Sequence, residues 1–203
     1  MNNIKKTNNK RVYIILAYPN KEGLCYAAFE SVKKGLQAAG HKVKVTDLYA
    51  ENFNPVLIFN ETKRRRDMQH DPKMQIYRDT ILWANHLVFV FPIWWGGMPA
   101  ILKGFIDKVF AKGFAYEYKG GISNMNGLLK NKTAWIINTQ DAPAIVRFVP
   151  FLVHDYGMVL KKQVLIACGF KKVQRFPIFS VRDSTPEKRY KWLQQLHDLG
   201  NKL

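Results

Sequence analysis

The sequence predicts a three-layer α/β fold in which helices cover both faces of a five-stranded parallel sheet. Strand-like apolar runs alternate with helix-period segments from one end of the chain to the other, the pattern of successive βαβ units. The runs Val12-Tyr-Ile-Ile-Leu16 and Leu87-Val-Phe-Val-Phe91 are apolar throughout, as strands buried on both faces are. No repeat, low-complexity tract or Pro/Gly/Ser linker divides the 203 residues, so residues 11–203 read as one domain behind a disordered polar tail, residues 1–10.

In chain order, residues 12–16 form the first strand. The turn-rich Tyr18-Pro-Asn-Lys-Glu-Gly23 leads into a helix over about residues 26–39, which Gly40 stops. The alternating Lys42-Val-Lys-Val-Thr-Asp47 is the second strand, followed by a long connection through Asn52-Phe-Asn-Pro55. Residues 72–85 read as a helix entering the third strand, residues 87–91. Pro99 suits the first position of the next helix. There Ile101, Leu102, Phe105, Ile106, Val109 and Phe110 recur with a 3.6-residue period, and Lys103, Asp107 and Lys108 take the other face. Thr133-Ala-Trp-Ile-Ile-Asn138 is the fourth strand, residues 150–161 a helical stretch, residues 173–179 the fifth strand and residues 186–199 the closing helix.

Two strand orders suit such a chain. The dinucleotide-binding order needs a Gly-x-Gly-x-x-Gly turn after the first strand, and Ala17-Tyr-Pro-Asn-Lys-Glu-Gly-Leu-Cys25 holds a single Gly. The flavodoxin-like order 2-1-3-4-5 remains. It places a ligand crevice at the carboxyl ends of strands 1, 3 and 4, so the loops 17–26, 92–97 and 139–146 are the ones expected to carry chemistry.

Lys and Arg number 32 against 15 Asp and Glu, a formal charge of +17, with 47% hydrophobic residues. The hydrophobic share excludes a disordered chain. The charge admits a nucleic-acid surface, a membrane-surface patch or sites for small phosphorylated ligands. Its clusters, Lys63-Arg-Arg-Arg66, Lys161-Lys162 and Lys171-Lys172 with Arg175, are scattered and carry neither aromatic interleaving nor zinc-finger spacing, so no nucleic-acid partner is expected. Cys25 and Cys168 alone build no disulfide framework and no four-thiolate zinc site; no metal is expected, and the expected setting is reducing and cytoplasmic. No apolar stretch approaches the ~20 residues of a membrane span, and the polar start lacks a signal-peptide apolar region.

The loop Pro92-Ile-Trp-Trp-Gly-Gly-Met-Pro99 sets two adjacent tryptophans between a strand end and a helix start. They can wall a flat conjugated ligand, with Gly96 and Gly97 admitting close backbone N–H approach; alternatively one Trp plugs the core and the other covers a subunit contact. Around Leu24, Cys25 and Ala27 a helix start offers free N–H groups and a positive dipole end, favouring phosphate, with Lys21 and the Tyr18 hydroxyl nearby; the alternative is an ordinary capped turn. Asn138-Thr-Gln-Asp-Ala-Pro143 supplies amide, hydroxyl and carboxylate groups that hydrogen-bond a heterocycle's polar edge or cap the next helix.

The stretch Phe91-Pro-Ile-Trp-Trp-Gly-Gly-Met-Pro-Ala-Ile-Leu-Lys-Gly-Phe-Ile-Asp-Lys-Val-Phe110, continuing to Gly113-Phe-Ala-Tyr-Glu-Tyr118, resembles the signature of the NAD(P)H:quinone oxidoreductase family. That family includes DT-diaphorase and the ancillary oxidoreductases of bacterial potassium-efflux systems. Asp47-Leu-Tyr-Ala-Glu-Asn-Phe-Asn-Pro55 and Cys168-Gly-Phe170 match in the same order, and the resemblance spans roughly residues 11–200. It implies a flavodoxin-like homodimer with a tightly held flavin, FAD or FMN, and active sites at the dimer interface.

Carried over by position, Tyr18 falls where the animal enzymes have a phosphate-contacting His, and Gly23, Leu24, Cys25 and Ala27 fall on the phosphate loop. Pro92, Ile93, Trp95 and Gly96, with Trp94 in the same block, fall on the segment lining the isoalloxazine ring. Thr139, Gln140 and Asp141 fall where the family has Thr-Gly-Gly at the ring's polar edge. The chain departs from the pattern at Tyr18, at Gly96, which replaces an aromatic pocket residue, and at Gln140-Asp141, which replaces the glycine pair. A Tyr and a His that assist charge relay in the animal enzymes are missing from their expected places. His154 and Tyr156 lie several residues late and in reversed order, and stand with Trp95 as the catalytic candidates.

The resemblance therefore implies an NAD(P)H dehydrogenase (quinone)-type enzyme. Hydride passes from NAD(P)H through the flavin to a quinone or similar planar acceptor, in ping-pong order over one ring face that Trp95 walls. A different class stays open, a regulatory flavoprotein subunit associated peripherally with a membrane transporter. A flavodoxin-type electron carrier fits the basic charge less well. FAD needs contacts for its adenosine half, for which Arg189 is the candidate; FMN needs the first-loop phosphate site alone. On this reading the +17 charge serves anionic ligands, the flavin phosphates and NAD(P)H.

Overall fold

In the computed structural model, which describes residues 9–62, 64–120, 124–145 and 157–203, the five predicted strands and the helices other than that expected over residues 150–161 are formed with small shifts of boundary. The order is β1 (Arg11–Leu16), α1 (Leu24–Ala38), β2 (Lys42–Asp47), a 3-10 turn (Arg65–His70), α2 (Pro72–Trp83), β3 (His86–Pro92) and α3 (Ala100–Val109). A short antiparallel hairpin, β4 (Tyr116–Tyr118) and β5 (Met125–Gly127), precedes β6 (Thr133–Thr139), a π-helical segment (Val159–Ile166), β7 (Lys172–Ile178) and α4 (Pro186–Asn201). The five long strands form one parallel sheet in the order β2-β1-β3-β6-β7, which is the expected 2-1-3-4-5 once the hairpin is set aside.

Strand alternation splits the apolar residues into two cores. Tyr13, Ile15, Leu87, Phe89, Phe91 and Ile136 pack on one face with residues of α2, α3 and the π-helical segment. Val12, Ile14, Leu16, Val88, Val90 and Ile137 pack on the other with residues of α1 and α4. Each such buried side chain contributes about 1.5–3 kcal/mol. Helices α1 and α4 touch backbone to backbone: a Cβ on Gly35 would strike the His197 carbonyl, and one on Gly200 the Val32 carbonyl. Close approach explains a glycine in mid-helix, where it costs about 1 kcal/mol relative to Ala.

The differences from expectation have local causes. Pro99 is the N-cap of α3, not its first helical residue, because its ψ of 145° is extended. Helix α1 starts at Leu24, earlier than residue 26, and α2 stops at Trp83, where Ala84 turns extended toward β3. Of the helix expected over residues 150–161, residues 150–156 lie outside the described residues. Beyond them the chain is π-wound as far as Ile166, with Leu160 and Leu165 buried five apart, one turn of the wider winding. The hairpin and the 3-10 turn were not anticipated. The latter is held by the buried Arg78 guanidinium, which donates to the carbonyls of Met68 and Gln69 and to those of Lys108 and Val109 at the end of α3. Among the described residues no helix is long and apolar enough to cross a membrane.

Candidate functional site

Strands β1, β3 and β6 end side by side, and the loops that leave them enclose an open pocket of about 170 Å³. Tyr18, Leu24 and Cys25 line it from the first loop, Pro92, Ile93 and Trp94 from the second, and Thr139, Gln140 and Asp141 from the third. Backbone bonds hold these loops together: Ala17 N–H donates to Val90 O at 2.9 Å, Ile93 N–H to Thr139 O at 2.8 Å, and Gln140 N–H to Ile178 O at 2.9 Å.

Helix α1 begins at this pocket without a side-chain cap and without an acidic residue in its first turn. By contrast, Asp71 caps α2 and Thr185 caps α4. The α1 amides at Leu24, Cys25 and Tyr26 therefore face the pocket end with the positive pole of the helix behind them. Ala27 sits one position deeper, and its N–H closes the first turn on Gly23 O at 3.1 Å. Gly23 leaves room for its neighbour, since a Cβ there would displace the Tyr18 hydroxyl and ring. Burial, with Cys25 beside it, pushes the Tyr18 phenol up, so it remains an O–H donor. The Cys25 thiol turns into the core against Thr139, and burial pushes it up to about 12. Desolvation thus overrides the helix pole that would otherwise lower a thiol at this position.

In the second loop Trp94 and Gly97 exchange both N–H···O bonds at 2.9 Å, and Trp95 and Gly96 have φ values of +49° and +74°. This is a two-residue turn of the I′ kind, natural for Gly96 but strained by roughly 1–3 kcal/mol for a tryptophan. Trp94 borders the pocket while remaining 42% exposed, whereas the Trp95 side chain stands wholly in solvent at the turn tip. The structure thus puts Trp94, not Trp95, on the pocket wall of a single chain.

Near the end of β6 the Asn138 amide is fully buried with both side-chain atoms unpartnered, and in the third loop Gln140, 6% exposed, has no partner for Oε1. Asp141 turns to the loop after β7: Oδ1 accepts from Arg182 N–H at 2.9 Å and Oδ2 from Arg182 Nη2 at 3.2 Å. That fourth loop, which also contributes Val181 to the pocket, was missed in the sequence. The signal was available, because in an all-parallel sheet every strand delivers its loop to the same edge. Arg189 is engaged there too, donating to Ser184 Oγ at 2.8 Å and Val181 O at 3.1 Å. His154 and Tyr156 lie outside the described residues.

A family model described as a flavodoxin-like fold matches residues 10–199. The chain belongs to that flavodoxin-like family. A solved structure with this flavodoxin-like architecture, Smu.1420 from Streptococcus mutans, is 42% identical with a TM-score of 0.88, covering 95% of this chain and 100% of that one. A Haemophilus influenzae protein named an uncharacterized NAD(P)H oxidoreductase is 40% identical over 120 residues, 59% of this chain and 58% of that protein. NAD(P)H dehydrogenase (quinone) 1 of Rattus norvegicus is 27% identical over 205 residues, 91% of this chain and 74% of the rat protein. Flavodoxin-like topology places the ligand crevice where the pocket lies, at the carboxyl ends of strands flanking the reversal of strand order.

Proposed function

We propose that the chain is a flavin-dependent NAD(P)H oxidoreductase of the quinone-reductase type, acting as a homodimer. The observation that carries this reading is the meeting, in one pocket, of an uncapped helix N-terminus with the side chain of Gln140, whose Oε1 is buried without a partner. The first suits a phosphate and the second the N–H edge of a heterocycle, the two polar ends of a flavin mononucleotide. The relatives named NAD(P)H dehydrogenase (quinone) and NAD(P)H oxidoreductase support a nicotinamide donor and a quinone-type acceptor.

A flavin held here would supply hydride chemistry between NAD(P)H and a quinone or similar planar acceptor, the two taken in ping-pong order. The residues of this chain do the holding. Amides of Leu24 and Cys25 take the phosphate, with the Tyr18 hydroxyl as a further donor, and Trp94 flanks the ring segment. Arg182 draws the Asp141 carboxylate to itself, so that its charge does not oppose negative charge at the ring edge. FMN is the better supported flavin, because Arg189, the candidate for an adenosine half, is occupied in tying down its own loop. A single-chain pocket of about 170 Å³ falls below the roughly 300–1,000 Å³ usual for ligand sites. The small pocket and the wholly exposed Trp95 beside it support completion of the site by a second copy of the chain. A second reading, a regulatory flavoprotein seated peripherally on a membrane transporter, is favoured by one observation: Gln140 and Asp141 bring side chains to the pocket where the resemblance has a glycine pair.

The test is to release and identify the chromophore, then follow its bleaching by NADH and NADPH and the steady oxidation of either with menadione. Released FMN, bleaching and parallel double-reciprocal lines are expected. A yellow protein inert to both nicotinamides overturns the reductase reading in favour of the regulatory one. A colourless protein that FMN and FAD fail to reconstitute overturns both.

A further inference from the structure

The amino edge of the sheet, opposite the crevice, gathers a second set of groups. β1 is entered through Lys10-Arg11, β2 through His41-Lys42, β3 at His86, β6 through Lys132-Thr133 and β7 through Lys171-Lys172. Strand pairing brings these starts into a row: Arg11 lies beside Lys42, Val12 beside His86, His86 beside Thr133, and Thr133 beside Lys172. Helix α4 ends at the same edge and adds Lys202. Between them lies a pocket of about 310 Å³ whose polar lining includes Lys10, His86, Thr133, Lys172, Gln174 and Lys202; Leu203 lines it too, with the oxygen that pairs Lys10, and among the described residues no Asp or Glu side chain does.

Lys10 Nζ donates to Leu203 O at 2.8 Å, whereas the exposed ammonium groups of Lys172 and Lys202 have no partner among the described residues. His86 is 1% exposed, with Nδ1 2.6 Å from Thr133 Oγ1 and the ring edge-on to Trp135. Its Nε2 is shielded from solvent and has no hydrogen-bond partner. A buried ring nitrogen left unmatched beside a pocket into which the unpartnered Lys172 and Lys202 ammonium groups open, with Lys10 already held by Leu203 O, is costly unless something completes it. A tetrahedral anion does so, taking the Nε2–H of one tautomer while two ammonium groups hold its other oxygens.

We propose that this pocket is a binding site for a phosphate group, carried by a soluble phosphorylated molecule or by a lipid headgroup, and separate from the crevice at the other edge of the sheet. The inference stands whether or not the crevice holds a flavin. The test follows the His86 ring resonances of the protein as purified during titration with inorganic phosphate. A saturable shift that moves His86 toward the Nε2–H tautomer is expected, half-complete below about 10 mM. It weakens at least tenfold in Lys172→Gln/Lys202→Gln, which alters exposed side chains only. Phosphate held at the start of α1 leaves these resonances unmoved, so the two edges are told apart. Co-sedimentation with phosphatidylcholine vesicles containing phosphatidic acid, lost in the double variant, assigns the headgroup source. A phosphate shift without vesicle binding assigns a soluble ligand. No saturable His86 shift, or one of equal strength in the double variant, overturns the proposal.

Discussion

At the carboxyl edge of the sheet the groups that meet the pocket are backbone amides of α1, the Tyr18 hydroxyl and the side chain of Gln140; at the amino edge they are lysine ammonium groups and one imidazole. Carboxylates follow the first edge: Asp47 ends β2, Asp141 follows β6, and Asp183 and Glu187 lie where β7 passes into α4. The contrast follows from parallel topology. Each strand-to-helix loop delivers the positive, N-terminal end of a helix to the carboxyl edge, and each helix ends with its carbonyls at the amino edge. Acids suit the first pole and bases the second. The two edges therefore differ in the groups they offer, although bases such as Arg182 and Arg189 also stand at the carboxyl edge, each tied into its own loop.

Four measurements would break or sharpen that contrast. Lowering the pH acts first on the amino edge. Burial, then Lys10 and His41, push the His86 ring down to about 3, below its ordinary 6.5. The stability this depressed value contributes is complete above about pH 6.5 and is lost as the pH falls toward 3. Between pH 7 and pH 4 the protein should lose about 3 kcal/mol more than His86→Phe does, measured by urea unfolding at each pH. Equal losses would remove His86 as the acid-sensitive group.

At the carboxyl edge, Gly23→Val drives a side chain into the space of Tyr18 at the start of α1. Flavin affinity, measured by fluorescence quenching, should fall at least tenfold, about 1.4 kcal/mol. Unchanged affinity would mean that the α1 amides do not hold the ligand. Gln140→Leu separates ligand need from fold need, because it removes a buried acceptor that has no partner. Thermal unfolding of the flavin-free protein should be unchanged or improved by up to about 1 kcal/mol while flavin binding weakens. A destabilised flavin-free protein would show that Oε1 serves the fold. The smallest effect is expected for Arg182→Ala, whose ion pair with Asp141 is mostly exposed. Stability should move by no more than about 0.5 kcal/mol, and turnover should fall if the freed carboxylate faces the ring.

The crevice was legible before the structure because its position follows from strand order, and strand order from one missing glycine pattern after the first strand. Three of its four loops are the three expected, and the fourth, after β7, is not among them. Less was legible inside them. Trp94 and Trp95 are chemically identical neighbours, and a two-residue turn with Trp95 at positive φ sends one to the pocket and the other to solvent. Asp141 carries no mark in the sequence of its bond to Arg182, which lies 41 residues on. The same holds for Arg78, whose four carbonyl partners belong to segments on either side of it in the chain. The π winding after residue 157 escaped because its buried pair, Leu160 and Leu165, is spaced for neither an α-helix nor a strand.

Hydrophobic period, turn residues and helix stops depend on neighbours a few positions away, so the α/β class, the five long strands and the crevice loops could be worked out from the order of residues alone. Hydrogen-bond partners, burial and the pairing of strand starts depend on groups brought within a few ångströms from distant parts of the chain. Only the folded molecule could show that α1 is left uncapped where Gln140 is left unpaired, and that the lysines scattered through the sequence converge on His86 at the opposite edge.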